Sequence, residues 1–427
     1  MLFTRKIVAG LLVSALPWLA AQAETTPSGW TLEKVVEVSR HGVRPPTEGN
    51  VKTIQEGTGR NWPTWLTHYG ELTGHGYAAA VLKGQYEGQY LRQHGLLSQN
   101  CPTPGDVFVW ASPLQRTQET AMALMDGVFP GCGVVIRGPE SEDNDTLFHA
   151  ETAGVQMDQE QVKASLQNAM QGKSAEQIQA EWQPAIDRLK QAVCLPDTAC
   201  PAFSAKWEVK ESKKGNISLH GPEALANMAE TIRLSYSNNN PLGQVAFGNA
   251  GTAAAVAALM PLLTANYDFT NDLPYVARRG GSILMNQIAL ALNPERHQED
   301  APPDAKWLLY VAHDTNIAKL RAMLGFTWQM GDYPRGNIPP AGSLIFERWR
   351  NAQSGQRFVR IYFQAQSLDQ IRGLTTLDND HPPLRSEFSI NGCQKTDVGT
   401  LCPYDAVMKR LNESVDRTAL LPVRYAL

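Results

Sequence analysis

The sequence has no surplus of positive charge: 38 Lys and Arg stand against 42 Asp and Glu, a formal net charge of −4. That excludes a general binder of nucleic acid or of anionic membranes, so a polyanionic ligand must be held by a local cluster of cations in a cleft. Beyond the N-terminal segment no apolar run reaches the roughly 20 residues that span a bilayer. Cysteine is scarce, with 6 in the chain, and no Cys-x-x-Cys or Cys-His cluster occurs, which argues against a metal site. No internal repeat or low-complexity tract is present.

What is present begins with Arg5 and Lys6, followed by an apolar stretch from Ile7 to Leu19 broken by Ser14 and Pro17, and by the small-x-small pattern Ala21-Gln22-Ala23. Residues 1–23 therefore read as a secretory signal, with a mature chain from about Glu24 and no membrane association after cleavage. Their removal takes away Arg5 and Lys6 and no acidic residue, moving the net charge from −4 to −6. Export suits disulfides. Cys194 and Cys200 flank a Pro-Asp turn, Cys393 and Cys402 share a polar loop, and Cys101 and Cys132 bracket one strand-helix unit. These three local pairs are expected, out of the roughly fifteen connectivities that six cysteines allow.

About 400 mature residues exceed one ordinary core and suit two domains. Hydrophobic periodicity predicts a strand at Val35 to Ser39 and a helix from Leu72 to Leu97 with Tyr77, Val81, Tyr86 and Tyr90 recurring on one face. It then predicts a strand at Val107 to Ala111, a helix from Leu114 to Met125 and a third strand at Val134 to Ile136. After residue 150 the patterns turn helical. Ser174 and Gln177 form a capping box, Ile178, Trp182, Ile186, Leu189 and Val193 make an apolar stripe, and Pro184 is expected to kink it. Further helical patterns cover Leu225 to Leu234 and Ala253 to Leu263. The sheet resumes at Trp307 to Ala312, followed by a helix from Thr315 to Leu324 and a hairpin of Ser343 to Trp349 with Phe358 to Gln364. The expected fold is α/β: a mixed sheet flanked by helices, split into 24–150 and 276–427, with an inserted, mainly helical second domain at 151–275. The Pro- and Gly-rich loop from Gly331 to Gly342 is expected to border a cleft.

Two strand ends carry chemistry. The run Val35 to Val38 leads into Arg40-His41-Gly42-Val43-Arg44-Pro45-Pro46, and Trp307 to Ala312 ends in His313-Asp314; between them lies Ser112, with Arg116 one turn into the next helix. Ligands of open α/β sheets bind beyond the carboxyl ends of strands. Forked guanidinium donors from Arg40, Arg44 and Arg116 would grip a phosphate ester while a neutral His41 attacks its phosphorus. Gly42 would let the backbone pass close to the phosphate. Asp314 would protonate the leaving alkoxide, favoured in acid by repulsion from the bound phosphate, and His313 would donate to a phosphoryl oxygen. No metal or other cofactor is required by this scheme. His68, His75, His94, His149, His220, His297 and His381 read as surface or structural residues, and Trp62 and Trp65 as anchors of a packed loop.

Arg40-His41-Gly42-Val43-Arg44-x-Pro46 with a distant His313-Asp314, and with Ser112-Pro113-Leu114-Gln115-Arg116-Thr117 between, resembles the histidine acid phosphatase family over most of the mature chain. The resemblance implies a phosphoglycerate mutase-like fold and a monomeric, periplasmic hydrolase of small-molecule phosphomonoesters. Within the family the chain is similar to Gram-negative phytases, which act on myo-inositol hexakisphosphate. It implies His41 as nucleophile, Asp314 as proton donor, and Arg40, Arg44, Arg116 and His313 as phosphate ligands. Thr47, Arg278 and Arg279 are candidates for further substrate phosphates, a solvated helix face being the alternative for the arginine pair. Two departures stand out: Glu48 follows Thr47 where some phytases have lysine, and Ser112 replaces an acidic residue of some relatives. A glucose-1-phosphatase and a non-catalytic polyanion-binding protein are the alternative readings.

Overall fold

The computed structural model describes residues 29–425 except 214 and 296–299, so the secretory-signal reading of residues 1–23, and His297, lie outside the described residues. The strands are β1 (Trp30–Arg40), β2 (Val107–Ala111), β3 (Glu208–Glu211), β4 (Ile217–His220), β5 (Trp307–Ala312), β6 (Ser343–Asn351), β7 (Arg357–Ala365), β8 (Leu384–Glu387), β9 (Gln394–Thr396) and β10 (Gly399–Pro403). One mixed sheet runs β2-β5-β1-β6-β7-β10-β9, with β8 also on β7, and β3 pairs with β4 in a separate hairpin. β2, β5 and β1 are mutually parallel; the other pairings of the large sheet are antiparallel.

β5 reads Trp-Leu-Leu-Tyr-Val-Ala, apolar throughout, because helices cover both faces of the sheet. Its Leu308, Tyr310 and Ala312 join a core that includes helices Pro274–Leu292 and Asp314–Leu324. Trp307, Leu309 and Val311 face the other way, toward helices Gly74–Gln93 and Gln115–Val128. Each large side chain so buried contributes about 1.5–3 kcal/mol.

Those last two helices touch backbone to backbone. A Cβ on Gly84 would lie 2.3 Å from the carbonyl oxygen of Leu124, and one on Gly127 2.2 Å from that of Val81. The buried row is therefore Gly76, Ala79, Ala80, Lys83, Gly84, Glu87, Gly88 and Leu91, while the expected Tyr77, Val81, Tyr86 and Tyr90 face is only partly buried. Hydrophobic periodicity gives glycine no weight, although it is what lets the helices approach.

Other expectations need correction. Val134 to Ile136 is no strand: only Arg137 bridges to Trp110, and Val135 is exposed, too short and outward-facing a stretch to extend the sheet. The pattern from Ala253 to Leu263 is two helices, Ala253–Ala257 and Pro261–Asp268, because Pro261 lacks an N–H and starts a new helix. Helix Ala175–Val193, with its capping box, continues unbroken through Pro184 on its exposed side.

Helices dominate from Gln159 to Asp268, and their apolar residues, such as Leu166, Ile186, Leu225, Met228 and Met260, form a core separate from those of the sheet. Ile54, Trp62, Tyr333 and Leu368 join it from elsewhere in the chain. Cys101–Cys132, Cys194–Cys200 and Cys393–Cys402 are all disulfide-bonded. Among the described residues, no single helix is long and apolar enough to cross a membrane.

Candidate active site

The three parallel strands end in register: Arg40 lies opposite Ala312, and Val311 opposite Ala111. The residues that follow therefore emerge side by side at one edge, with His313-Asp314 between Ser112 and His41. Backbone bonds fix this edge. The N–H of His41 donates to Ala312 (3.0 Å), that of Ser112 to Val311 (3.0 Å), and that of Ala341 to the carbonyl of His41 (2.9 Å). The loop from Gly331 to Gly342 thus borders the site, and Nη1 of Arg40 donates to its Ile338 carbonyl at 2.6 Å.

His41 is 1% exposed, and its Nδ1 lies 2.8 Å from the carbonyl oxygen of Gly42. A carbonyl only accepts, so Nδ1 carries the proton and the lone pair of a neutral ring resides on Nε2. Burial, then Arg44, Arg40 and Arg116, hold the pKa of His41 well below the ordinary imidazole range, which keeps the ring neutral in acid. Gly42 serves packing rather than phosphate approach: a Cβ there would meet Leu72 at 2.8 Å and the Gly76 carbonyl at 3.3 Å, while its N–H donates to Thr120.

The cations around it are sparsely satisfied. Nη1 of Arg44 donates to the Pro45 carbonyl (2.9 Å) and Nη1 of Arg116 to that of Gly70 (3.2 Å). The Nε atoms of Arg40, Arg44 and Arg116 are buried without a hydrogen-bond partner. Each such orphan costs about 1–3 kcal/mol, which a bound anion would recover. Burial, then Arg116 and Arg40, push Arg44 down to about 10. His313 packs edge-on to His41 with ring centroids 5.8 Å apart, and its Nε2 lies 3.1 Å from Oγ of Ser112. Burial, then Arg116, depress its pKa as well.

Burial raises the pKa of Asp314, but Arg40, a hydrogen bond from Tyr267, Arg44 and Arg233 outweigh it, and the net direction is down. Among these neighbours Asp314 is a carboxylate. The repulsion from a bound phosphate expected from the sequence must therefore offset the pull of those arginines before the carboxyl is protonated.

Sequence reasoning missed four neighbours. Glu230 bridges Arg40 and Arg233 from helix Pro222–Ser237, and Nη1 of Arg233 also donates to Oδ1 of Asn337 at 2.9 Å. Tyr267 donates its hydroxyl to Oδ2 of Asp314. His149 packs against His313, with centroids 5.1 Å apart, and is bonded to Asp145 and Glu142. The one available signal was the Glu230/Arg233 pair, set three apart within an otherwise apolar helical pattern.

Thr47 caps helix Glu48–Thr58, with Oγ1 accepting from the N–H of Asn50, beside the Gly70 that Arg116 touches. Arg278 and Arg279 do not join the cluster. Arg279 pairs with Asp416 and donates to the Gln156 carbonyl, and Arg278 reaches the Val415 carbonyl, so both hold the C-terminal segment and line a separate cleft of about 410 Å³.

The chain is 30% identical to a glucose-1-phosphatase of Salmonella typhimurium over 90% of its own length and 93% of the relative's. A Klebsiella phytase structure superposes with a TM-score of 0.88 at 50% identity, covering 92% of this chain and 98% of that one. The Hafnia alvei phytase in complex with myo-inositol hexakis sulphate gives 0.82 at 32% identity, covering 93% and 100%. The family model of the histidine phosphatase superfamily (branch 2) matches residues 31–364. The chain belongs to that superfamily and is a histidine acid phosphatase.

Proposed function

We propose that this enzyme is a phytase, removing phosphate from myo-inositol hexakisphosphate through a phosphohistidine on His41. The observation that carries the reading is the placement of a buried imidazole, its Nδ1 pinned to Gly42, among three arginines with orphaned Nε atoms. Arg40, Arg44, Arg116 and Arg233 stand against Glu230 and Asp314, a local positive surplus suited to a phosphate dianion. Nε2 of His41 attacks phosphorus while Arg40, Arg44, Arg116 and His313 hold the oxygens, and Asp314 protonates the leaving oxygen. Water then attacks the phosphohistidine with Asp314 as base, and phosphate departs.

The 50% identical Klebsiella phytase supports an inositol phosphate substrate, as does the inositol hexakis sulphate bound by the Hafnia enzyme. The Salmonella glucose-1-phosphatase favours a second reading, a hydrolase of small sugar phosphates. Thr47, beside Arg116 at the site, is the proposed contact for a peripheral phosphate. Residues 24–150 and 276–427 would form the α/β domain and 151–275 the helical insert; one chain supplies every site residue, consistent with a monomer. Disulfides fit export to the periplasm on the signal of residues 1–23.

Phosphate release from inositol hexakisphosphate and from glucose 1-phosphate at acid pH separates the readings. The account expects kcat/KM at least about tenfold higher on the former, with His41→Ala inactive on both. The reverse preference would install the second reading, and an active His41→Ala would remove both.

A further inference from the structure

Proton donation by Asp314 requires that one of its oxygens carry the transferable proton, and helix Pro261–Asp268 bears on which. Tyr267, in the last turn of that helix, is 5% exposed, and its hydroxyl donates a short hydrogen bond to Oδ2 of Asp314. The ring is held in place. The guanidinium carbon of Arg321 sits 5.2 Å from its centroid, and Arg321 is itself fixed on Asp272 by bonds of 3.1 and 2.8 Å.

Other charged groups face the same carboxyl. Arg40 and Arg44 come from the end of β1 and the turn after it, Arg116 from helix Gln115–Val128, and Arg233 and Glu230 from helix Pro222–Ser237. The three phosphate-binding arginines give up much of their pull on Asp314 once a phosphate dianion lies among them. Tyr267 does not, since its hydroxyl is committed to Asp314.

We infer that Tyr267 is a positioning residue for proton donation: by occupying Oδ2 it confines the transferable proton of Asp314 to Oδ1. The inference rests on the reading of Asp314 as the proton donor. In the step itself, the bond from Nε2 of His41 to phosphorus forms as the ester P–O bond breaks. The electron pair of that bond goes to the leaving oxygen, which takes the proton from Oδ1. Negative charge then spreads onto Oδ2, where the Tyr267 hydrogen bond strengthens, so the contact is worth more after transfer than before. Burial, then Asp314, push the phenol well above its ordinary range, so Tyr267 remains a donor throughout.

The test is Tyr267→Phe, which keeps the ring and deletes the hydroxyl. Loss of the donor makes Asp314 a weaker acid, so the alkaline limb of the kcat profile moves up by about one pH unit. On an inositol or sugar phosphate, whose alkoxide needs the proton, kcat falls about tenfold with KM little changed; on 4-nitrophenyl phosphate the loss shrinks to about twofold or less. An unmoved limb, or a loss equal on both leaving groups, overturns the inference. Asp314→Asn, measured alongside, separates the failures. If it too leaves alkyl phosphate hydrolysis intact, the proton-donor reading falls and this inference with it. If it abolishes that hydrolysis while Tyr267→Phe keeps the parental profile, only the role of Tyr267 falls. Should Tyr267→Phe fold poorly, Tyr267→Trp, also without a hydroxyl, gives the same pH and leaving-group readouts.

Discussion

His41 is useful in acid because its surroundings make an imidazolium costly. Burial and three nearby arginines depress its pKa, so with His41 as the proposed nucleophile the acid limb of kcat/KM should lie well below 6.5, the ordinary imidazole value. An acid limb at that value in pH-rate profiles would show that the arginines do not act on the ring. The same shift has a stability consequence. An unfolded chain takes up protons at His41 and His313 below the ordinary pKa while the folded chain does not, so folding stability declines as pH falls through that range. Glu230 carries a second prediction. It is the carboxylate between Arg40 and Arg233, both fully enclosed, so Glu230→Leu leaves two buried cations without their counter-ion. Urea unfolding should show a loss of about 3 kcal/mol, with phosphate ester binding weakened as Arg40 loses its orientation.

Elements place these residues, and glycines decide how closely the elements sit. Gly84 and Gly127 bring helices Gly74–Gln93 and Gln115–Val128 into backbone contact, and the second of these carries Arg116. Gly84→Ala forces a methyl group into the Leu124 carbonyl and should cost about 1–3 kcal/mol in denaturation experiments. Kinetics should register a shift in Arg116 as a raised KM. Parental stability would mean that the helices are free to separate. This contact also marks the limit of what could be read beforehand. Val107 to Ala111, Trp307 to Ala312 and the hairpin of β6 and β7 were legible because continuous or alternating apolar runs leave few options. The buried face of helix Gly74–Gln93 was not, since it is lined by glycine, alanine, Lys83 and Glu87, and besides Glu87 one turn on, Lys83 is satisfied by Glu37, Ser39 and Ser343, which are remote in sequence. The motif histidines and arginines were visible at predicted strand ends. Tyr267 was not, because in sequence it is a single polar residue inside a helical pattern; Glu230 and His149 have the local partners Arg233 and Asp145, but only packing of the helical layer onto the sheet brings any of the three to the strand ends.

At the scale of the whole molecule, a parallel trio of strands brings residues far apart in the chain to one edge of the sheet. The resulting positive pocket in an acidic protein holds buried guanidinium Nε donors without partners. Inorganic phosphate should therefore raise the thermal midpoint, by the equivalent of about 2.7 kcal/mol at a hundredfold excess over its dissociation constant. Arg44→Ala should erase most of this rise, whereas Arg279→Ala, on the C-terminal segment, should leave it intact. In the proposed reaction His41 becomes covalently phosphorylated with Asp314 beside it. Rapid acid-free quenching of Asp314→Asn mixed with 32P-labelled 4-nitrophenyl phosphate tests it most directly, since the good leaving group permits attack while loss of the base slows hydrolysis. The account predicts acid-labile, base-stable radiolabel on a peptide containing His41; label on any other residue, or none on the protein while nitrophenol is released, would contradict it.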